Sequence, residues 1–351
     1  MVKLFGSKII SFLFVFTLIA VLSGCGGESE PSDDTVDEAN EQENTSDEPI
    51  VFQFGHMNTE EDNIHKGLLS FKEAVEERTN GEIQIDIFPN GQLGENTEVL
   101  EQVRLGGNMM TQFSVGSLGE YVPNFDILLG PFLYEDWEQA QKLLKSDLVA
   151  EWEEDLAKTA NIRILGYFYF GERDLYTIDT PVRSPEDLQG LSIRVQPVTM
   201  YTEMIEAMGG APTPMPWPDV YNALEQGVFD GAEAPPHSVI DQKHYEVINN
   251  YSITKHMLDP SPIAMNEEDF QSLSEEHQTI IMEEAQKALD QISENNLTLR
   301  DDSIKHLEEQ GVTIIDDVDR DAFKEVTQKV YDQFPNWSPN LYEEEIGRAH
   351  V

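Results

Sequence analysis

The sequence is poor in cysteine and in basic residues. Cys25 is the single cysteine among 351 residues, so an intramolecular disulfide and a cysteine-based metal site are both excluded. Lysine and arginine total 22 against 67 aspartates and glutamates, a formal net charge of −45. Without a basic stripe to neutralise phosphates, nucleic acid is not expected as a partner.

Signatures of catalysis and of cofactor binding are also missing. The sequence contains no G-x-G-x-x-G, Walker A, H-E-x-x-H or G-x-S-x-G motif. The eight histidines are scattered without metal-ligand spacing, and acidic pairs such as Glu153–Glu154 are expected in so acidic a chain. We therefore predict a binding protein rather than an enzyme, with no cofactor and no metal.

The N-terminus has the pattern of a targeting segment. Lys3 and Lys8 precede an apolar run at residues 9–22, which ends in "LSGC". This ending resembles a bacterial lipobox, which predicts a signal peptide over 1–24 and a lipidated Cys25; the alternative is an ordinary secretory signal with an accidental cysteine. Residues 25–49, acidic and almost without aliphatic side chains, predict an extended linker. The folded part is expected outside the cytoplasm, anchored by lipid to the cell membrane.

The last seven residues, "EIGRAHV" (345–351), resemble the translation of a common sequencing-adapter read. We expect them to be a sequencing artefact and assign no role to them.

From residue 50 the hydrophobic periodicity alternates between strand and helix. "IVFQFGHM", "EIQIDIF" and "MMTQFSV" read as strands separated by two helical stretches, an order typical of an α/β domain with a parallel sheet. A helical stretch (136–160) and the strand "IRILGYFYFG" precede a second α/β segment, which runs from "LYTI" to "FDGAEA". The strands "YSITKHM" and "PIAMN" follow, then a helical pattern over 274–311, "VTIID" and a terminal helix (319–334).

This order predicts an α/β, two-domain fold resembling periplasmic binding proteins, with a hinged cleft and a long helix spanning both domains. The predicted first domain comprises 50–170 plus about 260–298. The predicted second domain comprises 171–259 plus about 299–344.

Two arginines are candidates for a ligand site in the cleft. Arg173 directly follows an apolar strand, and Arg194 lies within the strand of "GLSIRVQP". A guanidinium group is a planar fork that matches a carboxylate bidentately. Each arginine could equally pair with one of the protein's own acids, and the residue pattern alone leaves both possibilities open.

Longer motifs resemble the solute-binding proteins of TRAP (tripartite ATP-independent periplasmic) transporters, the DctP-like family. The similarity covers about 51–342 and is densest in three runs: "FPNGQLGENTEVLEQVRLG", "YVPNFDILLGPFLYED" and "SPEDLQGLSIRVQPVTMYTEMIEAMGGAPTPMPWPDVYNALEQGVFDGAE". The resemblance implies an organic-acid receptor that delivers its ligand to small and large integral membrane subunits. Its "IRV" arginine, here Arg194, would form a salt bridge with the ligand carboxylate, supported by Arg173.

The resemblance also implies further ligand-binding residues. Trp217 would line the cleft, or cap a helix start instead. Asn96 would reach ligand hydroxyls, or cap its helix. Glu233 would accept ligand hydrogen bonds, or pair with an arginine, and His256 has a structural alternative. The remaining candidates lie after strands or in the "IRV" strand itself: Asn58, Ser114 and Gln196.

One position departs from the family pattern. Many relatives that bind C4-dicarboxylates or sialic acid have asparagine where this chain has Ala234 in "DGAEAPP". We therefore predict a sugar acid such as a uronate as the ligand, with a C4-dicarboxylate or another carboxylate as the alternative. A sensory protein that reports the same ligand to a kinase, and an enzyme on the same fold, are the competing function classes.

Overall fold

The computed structural model describes residues 48–342. The signal peptide, Cys25, nearly all of the linker and the segment 345–351 lie outside the described residues, so the predictions made for them stay predictions. No helix within the described range is long and apolar enough to cross a membrane.

In the described part of the chain, nine strands form one sheet. The strands are β1 Ile50–Gly55, β2 Ile83–Phe88, β3 Met109–Gln112, β4 Ile162–Thr177, β5 Ser192–Val195, β6 Ala211–Pro214, β7 Gly231–Ala234, β8 Asn250–Asn266 and β9 Thr313–Ile315.

Ten α-helices pack on this sheet within the described range. The helices are α1 Asn63–Arg78, α2 Asn96–Leu105, α3 Trp137–Leu144, α4 Asp147–Ala160, α5 Thr199–Met208, α6 Val220–Glu225, α7 Pro236–Asp241, α8 Glu267–Ser272, α9 Glu275–Glu309 and α10 Arg320–Thr327.

The sheet has the order β2-β1-β3-β8-β4-β7-β5-β6, with β9 also paired to β8. β1 lies parallel to β2 and β3, and β5 lies parallel to β6 and β7, as the β-α-β patterns predict. Between these two parallel groups β4 and β8 run antiparallel to each other over nearly their whole length. The sheet is therefore mixed, and its two central strands connect the two parallel groups.

The two central strands differ from the sequence-based expectation. "IRILGYFYFG" and "LYTI" were predicted as separate strands, and so were "YSITKHM" and "PIAMN", yet each pair forms one continuous strand. Register shifts lie between Ile164 and Gly166, Tyr169 and Gly171, and Arg173 and Leu175. These bulges let long strands bend without ending, which local periodicity does not reveal. The predicted helix 136–160 is instead two helices, because Ser146 caps the start of α4.

The long helix predicted over 274–311 is present as α9. Ser274 caps its start by accepting from the His277 amide, and the helix ends before Gly311, which has a φ of 96°. Its apolar face packs with α1 and the β1–β3 side of the sheet. At Gly67 of α1 the approach is so close that a Cβ atom would lie 2.3 Å from the Ile292 side chain. Further along, α9 contacts α7 and β9.

Candidate functional site

Arg173 lies on β4 and is neutralised by the protein's own acids. Its Nε and Nη2 donate to the two carboxylate oxygens of Glu233 on β7, and Nη2 also donates to the Glu233 carbonyl oxygen. Its Nη1 donates to Asp259 Oδ2 on β8 at 3.0 Å. All three side chains are buried, because each lies on a central strand of the sheet. The pairing answers one question that the sequence left open: Arg173 forms an internal ion-pair cluster.

The electrostatics of this cluster follow from burial and pairing. Burial acts to lower the pKa of Arg173, but the carboxylates of Glu233 and Asp259 outweigh it and raise the pKa. Burial acts to raise the pKa of Glu233, but the Arg173 charge and hydrogen bonds hold it below its usual value. The pKa of Asp259 stays raised because desolvation is the larger effect there.

Arg194 lies on β5 and has a different environment. Its Nε and Nη2 donate to the Met215 carbonyl oxygen at 2.8 and 2.6 Å, and its guanidinium carbon lies 5.2 Å from the centre of the Trp217 ring. Its Nη1 is buried without a hydrogen-bond partner, and no carboxylate of residues 48–342 lies within 4.0 Å of it. Desolvation lowers the pKa of Arg194 to about 10. Arg194 is thus a buried cation that lacks a counter-ion among the described residues.

A cavity lies beside the two arginines. Arg173 lines it, whereas Arg194 lies next to it, in contact with the lining residue Trp217. The lining combines a few apolar groups with convergent polar ones, as is typical of small-molecule sites. The cavity is lined by Met57, Asn58, Asn96, Gln112, Ser114, Phe170, Arg173, Gln196, Trp217, Ala234, Ser238, Asp259 and Ser261.

Most of the sequence-predicted residues converge on this cavity. Asn58, Asn96, Ser114, Gln196 and Trp217 line it together with Arg173. Ala234, the position of the departure from the family pattern, lines it too and presents only a methyl group.

Asn96 is the first residue of α2, whereas Glu95 occupies the N-cap position, so the alternative that Asn96 caps this helix is wrong. Trp217 contacts the His244 ring as well as Arg194, with ring centroids 4.8 Å apart. Trp217 therefore lies between the cavity and the buried side chains of Arg194 and His244.

Two predicted residues lie behind the cavity. Glu233 is fully buried and accepts from Arg173, which is the alternative that the sequence offered for it. His256 is also fully buried; its Nε2 lies 3.7 Å from Glu233 Oε2, and its Nδ1 shares a 2.7 Å hydrogen bond with Thr254. Both side chains organise the arginine cluster rather than the cavity surface.

Sequence reasoning missed several residues of the site, among them four polar ones that form two hydrogen-bonded pairs. Asp259 and Ser261 line the cavity from β8, Gln112 lines it from β3, and Tyr201 of α5 donates to Asp259 Oδ2 at 3.0 Å. Gln112 Nε2 donates to Ser261, which donates in turn to the Phe113 carbonyl oxygen. No local motif marks these positions, because strand pairing brings them together from distant parts of the chain.

Comparison with known proteins identifies the relatives. Residues 54–336 match the family model described as bacterial extracellular solute-binding protein, family 7, called DctP. A solute-binding protein of Chromohalobacter salexigens is 32% identical over 280 residues, which are 79% of this chain and 82% of the relative.

Solved structures show the same similarity. A TRAP periplasmic solute-binding protein of Fusobacterium nucleatum with bound sn-glycerol-3-phosphate is 34% identical with a TM-score of 0.82, covering 86% of this chain and 98% of that one. A second, from Ochrobacterium anthropi with bound L-fuconate, is 34% identical with a TM-score of 0.83, covering 87% and 100%. These matches confirm the predicted two-domain α/β fold, while the domain boundaries stay a prediction. The chain belongs to the DctP family of TRAP transporter solute-binding proteins.

Proposed function

We propose that this protein captures a small organic acid, with a sugar acid favoured, by placing the ligand carboxylate on Arg194. The observation that carries the proposal is the buried Arg194 guanidinium without a carboxylate partner among the described residues. An unsatisfied buried donor costs about 1–3 kcal/mol, and more when it is charged. A ligand carboxylate would remove that cost by supplying the missing charge and acceptors.

The remaining donors of Arg194 suit a carboxylate. Nε and one edge of Nη2 point to the Met215 carbonyl oxygen, which leaves Nη1 and the other edge of Nη2 as an end-on fork. Because Nη1 is closed off from solvent, the ligand reaches it only if neighbouring side chains move. We expect the Trp217 ring, which lies against the guanidinium, to shift on binding.

Arg173 then has an indirect role. Glu233 and Asp259 already occupy most of its donors, so it holds these acids in place rather than binding the ligand carboxylate itself. This revises the supporting contact that the resemblance implies for Arg173.

The sugar-acid preference rests on the cavity lining and on the relatives. Gln112, Ser114, Gln196 and Ser261 offer hydrogen bonds that hydroxyl groups can use. A relative of 34% identity is solved with L-fuconate, whereas Ala234 removes the polar side chain expected for dicarboxylate and sialic acid receptors. The second candidate is a phosphate ester, because another relative of equal identity holds sn-glycerol-3-phosphate.

The cellular role follows from the family and from the N-terminal pattern. Under this proposal Cys25 carries a lipid anchor, and the ligand-loaded protein docks on the membrane subunits of a TRAP transporter. A sensory role with the same ligand is the alternative. No motif or site geometry supports an enzymatic reaction.

A thermal-shift screen tests the ligand class. The panel contains L-fuconate, D-galacturonate, succinate and sn-glycerol-3-phosphate, because a ligand that binds the folded state raises the melting temperature by mass action. We expect stabilisation by a sugar acid. Stabilisation by succinate or by sn-glycerol-3-phosphate alone would contradict the sugar-acid proposal.

Arg194→Ala tests the residue assignment. We expect this change to lower the affinity for the stabilising acid at least about a hundredfold, or about 2.7 kcal/mol, because the carboxylate loses its counter-ion. Arg183→Ala is the matched control, since Arg183 is half exposed and pairs with Asp317 away from the cavity. Near-normal affinity of a folded Arg194→Ala protein in calorimetry would reject the assignment.

A further inference from the structure

Asp259 presents an unused carboxylate oxygen at the cavity. Its Oδ2 accepts from Arg173 Nη1 and from the Tyr201 hydroxyl, each at 3.0 Å. Its Oδ1 is buried and has no hydrogen-bond partner within the described part of the chain. Asp259 lines the cavity, and its side chain is held on one side by the two donors to Oδ2. The free oxygen therefore has a fixed position and lacks a donor.

The formal charges of the four buried ionic side chains sum to zero before a ligand binds, although both carboxylates pair with Arg173 and neither contacts Arg194. Arg173 and Arg194 carry two positive charges, Glu233 and Asp259 carry two negative ones, and all four are at most 2% exposed. His256, which lies 3.7 Å from Glu233, is the other titratable side chain packed against this cluster from β8, and Tyr201 is the one from α5. A bound monoanion adds one negative charge to these four side chains, whereas a bound dianion adds two.

Because the site is removed from bulk water, a second negative charge there is penalised strongly. The group that best fits Asp259 Oδ1 is thus an uncharged donor. A hydroxyl group meets this requirement, because it donates a hydrogen bond to a carboxylate without adding charge. Burial also raises the pKa of Asp259, so a donor at Oδ1 stabilises the ionised form that burial disfavours.

We propose that Asp259 is a specificity-determining residue, whose Oδ1 accepts a hydrogen bond from a ligand hydroxyl and whose charge rejects ligands with a second anionic group. This inference rests on the proposed function, since it assumes that Arg194 holds the carboxylate at the other end. It assigns the ligand class as a monoanionic polyhydroxy acid.

Asp259→Asn tests the role of the charge. The amide oxygen can replace Oδ2 as the acceptor for Arg173 and Tyr201, which leaves the amide NH₂ at the Oδ1 position. A second carboxylate would then meet a donor instead of a negative charge. We expect affinity for L-fuconate or D-galacturonate to fall about tenfold or more, and affinity for succinate to rise about tenfold, as measured by calorimetry.

Asp259→Glu is the second variant, because it keeps the charge but displaces the carboxylate by one methylene. It should lose affinity for the sugar acid without gaining affinity for succinate. Unchanged sugar-acid affinity in folded Asp259→Asn protein, or equal losses for both ligand types in that variant, would overturn the inference.

The wild-type protein provides a readout that does not depend on the folding of a variant. It should bind L-fuconate or D-galacturonate at least about a hundredfold more tightly than succinate. Equal affinities, or tighter binding of the dianion sn-glycerol-3-phosphate, would overturn the role of Asp259. Failure of Arg194→Ala to weaken binding would instead reject the proposed function, so the two failures are distinguishable.

Discussion

At the scale of single residues, the two buried arginines differ in what neutralises them. Arg173 has a bidentate partner in Glu233 and a second acid in Asp259. Within residues 48–342, the partners of Arg194 are the Met215 carbonyl oxygen and the face of Trp217. A buried charge without a counter-ion destabilises a fold, so its presence indicates a function other than stability. The difference therefore supports our proposal that Arg194, rather than Arg173, binds the ligand carboxylate.

His244 provides a prediction about pH. It is fully buried, shares a 2.9 Å hydrogen bond with the Tyr176 hydroxyl, and burial, with help from the Arg194 charge, lowers its pKa to about 3. As pH falls below about 6.5 the unfolded chain takes up a proton at this histidine but the folded protein does not, so stability decreases towards pH 3. Between pH 7 and pH 4.5, we expect the free energy of unfolding to fall by about 2–3 kcal/mol less in His244→Gln than in the wild type.

Urea unfolding of both proteins at the two pH values measures this effect. Glutamine can still accept from Tyr176, so the comparison isolates the titrating ring. Identical stability losses in the two proteins would show that His244 does not cause the acid sensitivity.

Some residues of the site could be predicted from the sequence and others could not. Arg194, Trp217 and Gln196 could be predicted because they belong to one run of sequence with a recognisable pattern. Asp259 could not, since its role depends on pairing with Gly171 across the sheet and on Tyr201 of a distant helix. A local sequence pattern identifies the candidate arginines, whereas long-range contacts decide which of them lacks a carboxylate partner.

At the scale of elements, Gly171 permits the close approach of β4 to the segment after β7. A Cβ atom there would lie 2.6 Å from Pro235 Cβ and 2.7 Å from Pro235 Cγ, and the rigid proline ring cannot move aside easily. We expect Gly171→Ala to lower the free energy of unfolding by about 2–3 kcal/mol through this overpacking.

Gly107→Ala is the control for this change in urea unfolding. Gly107 also has a positive φ, of 100°, but nothing lies within 4 Å of its Cβ position. The free energy of unfolding of Gly107→Ala should fall by only about 1–2 kcal/mol, the cost of placing a residue with a Cβ atom at a positive φ. A Gly171→Ala protein no less stable than this control would contradict the steric explanation.

The elements themselves were predicted to different degrees. α9 was recognisable because its apolar residues recur at helical spacing between a serine cap and a glycine stop. The prediction divided β4 after Gly171, next to a register shift, and divided β8 at 258–261, opposite the shift between Tyr169 and Gly171. Strand continuity at a bulge depends on the paired strand, which a single segment does not contain.

At the scale of the whole molecule, the net charge of −45 opposes the arrival of an anionic ligand. The Debye length, the distance beyond which salt screens this repulsion, is about 30 Å at 0.01 M salt and about 3 Å at 1 M. We expect the association rate constant for L-fuconate or D-galacturonate to rise several-fold between these salt concentrations. Stopped-flow measurement of tryptophan fluorescence can follow binding, because Trp217 lines the cavity.

Sucrose at matched viscosity is the control for non-electrostatic effects of the added salt. A rate constant that falls with salt would mean that the positive potential of the arginines dominates already at long range.

The pairing of β4 with β8 has a consequence for how such receptors diversify. Thr177, the last residue of β4, pairs with Asn250, the first residue of β8, so the segment 178–249, which contains β5, β6 and β7, begins and ends at adjacent positions of the sheet. That segment carries Arg194, Trp217 and Glu233, while Arg173 and Asp259 stay on the strands outside it. Residues 178–249 can therefore be exchanged as one unit between related proteins. If our proposals hold, exchanging it between relatives transfers the carboxylate-binding Arg194 together with Trp217 and Glu233, and leaves Asp259 on the strand of the recipient protein.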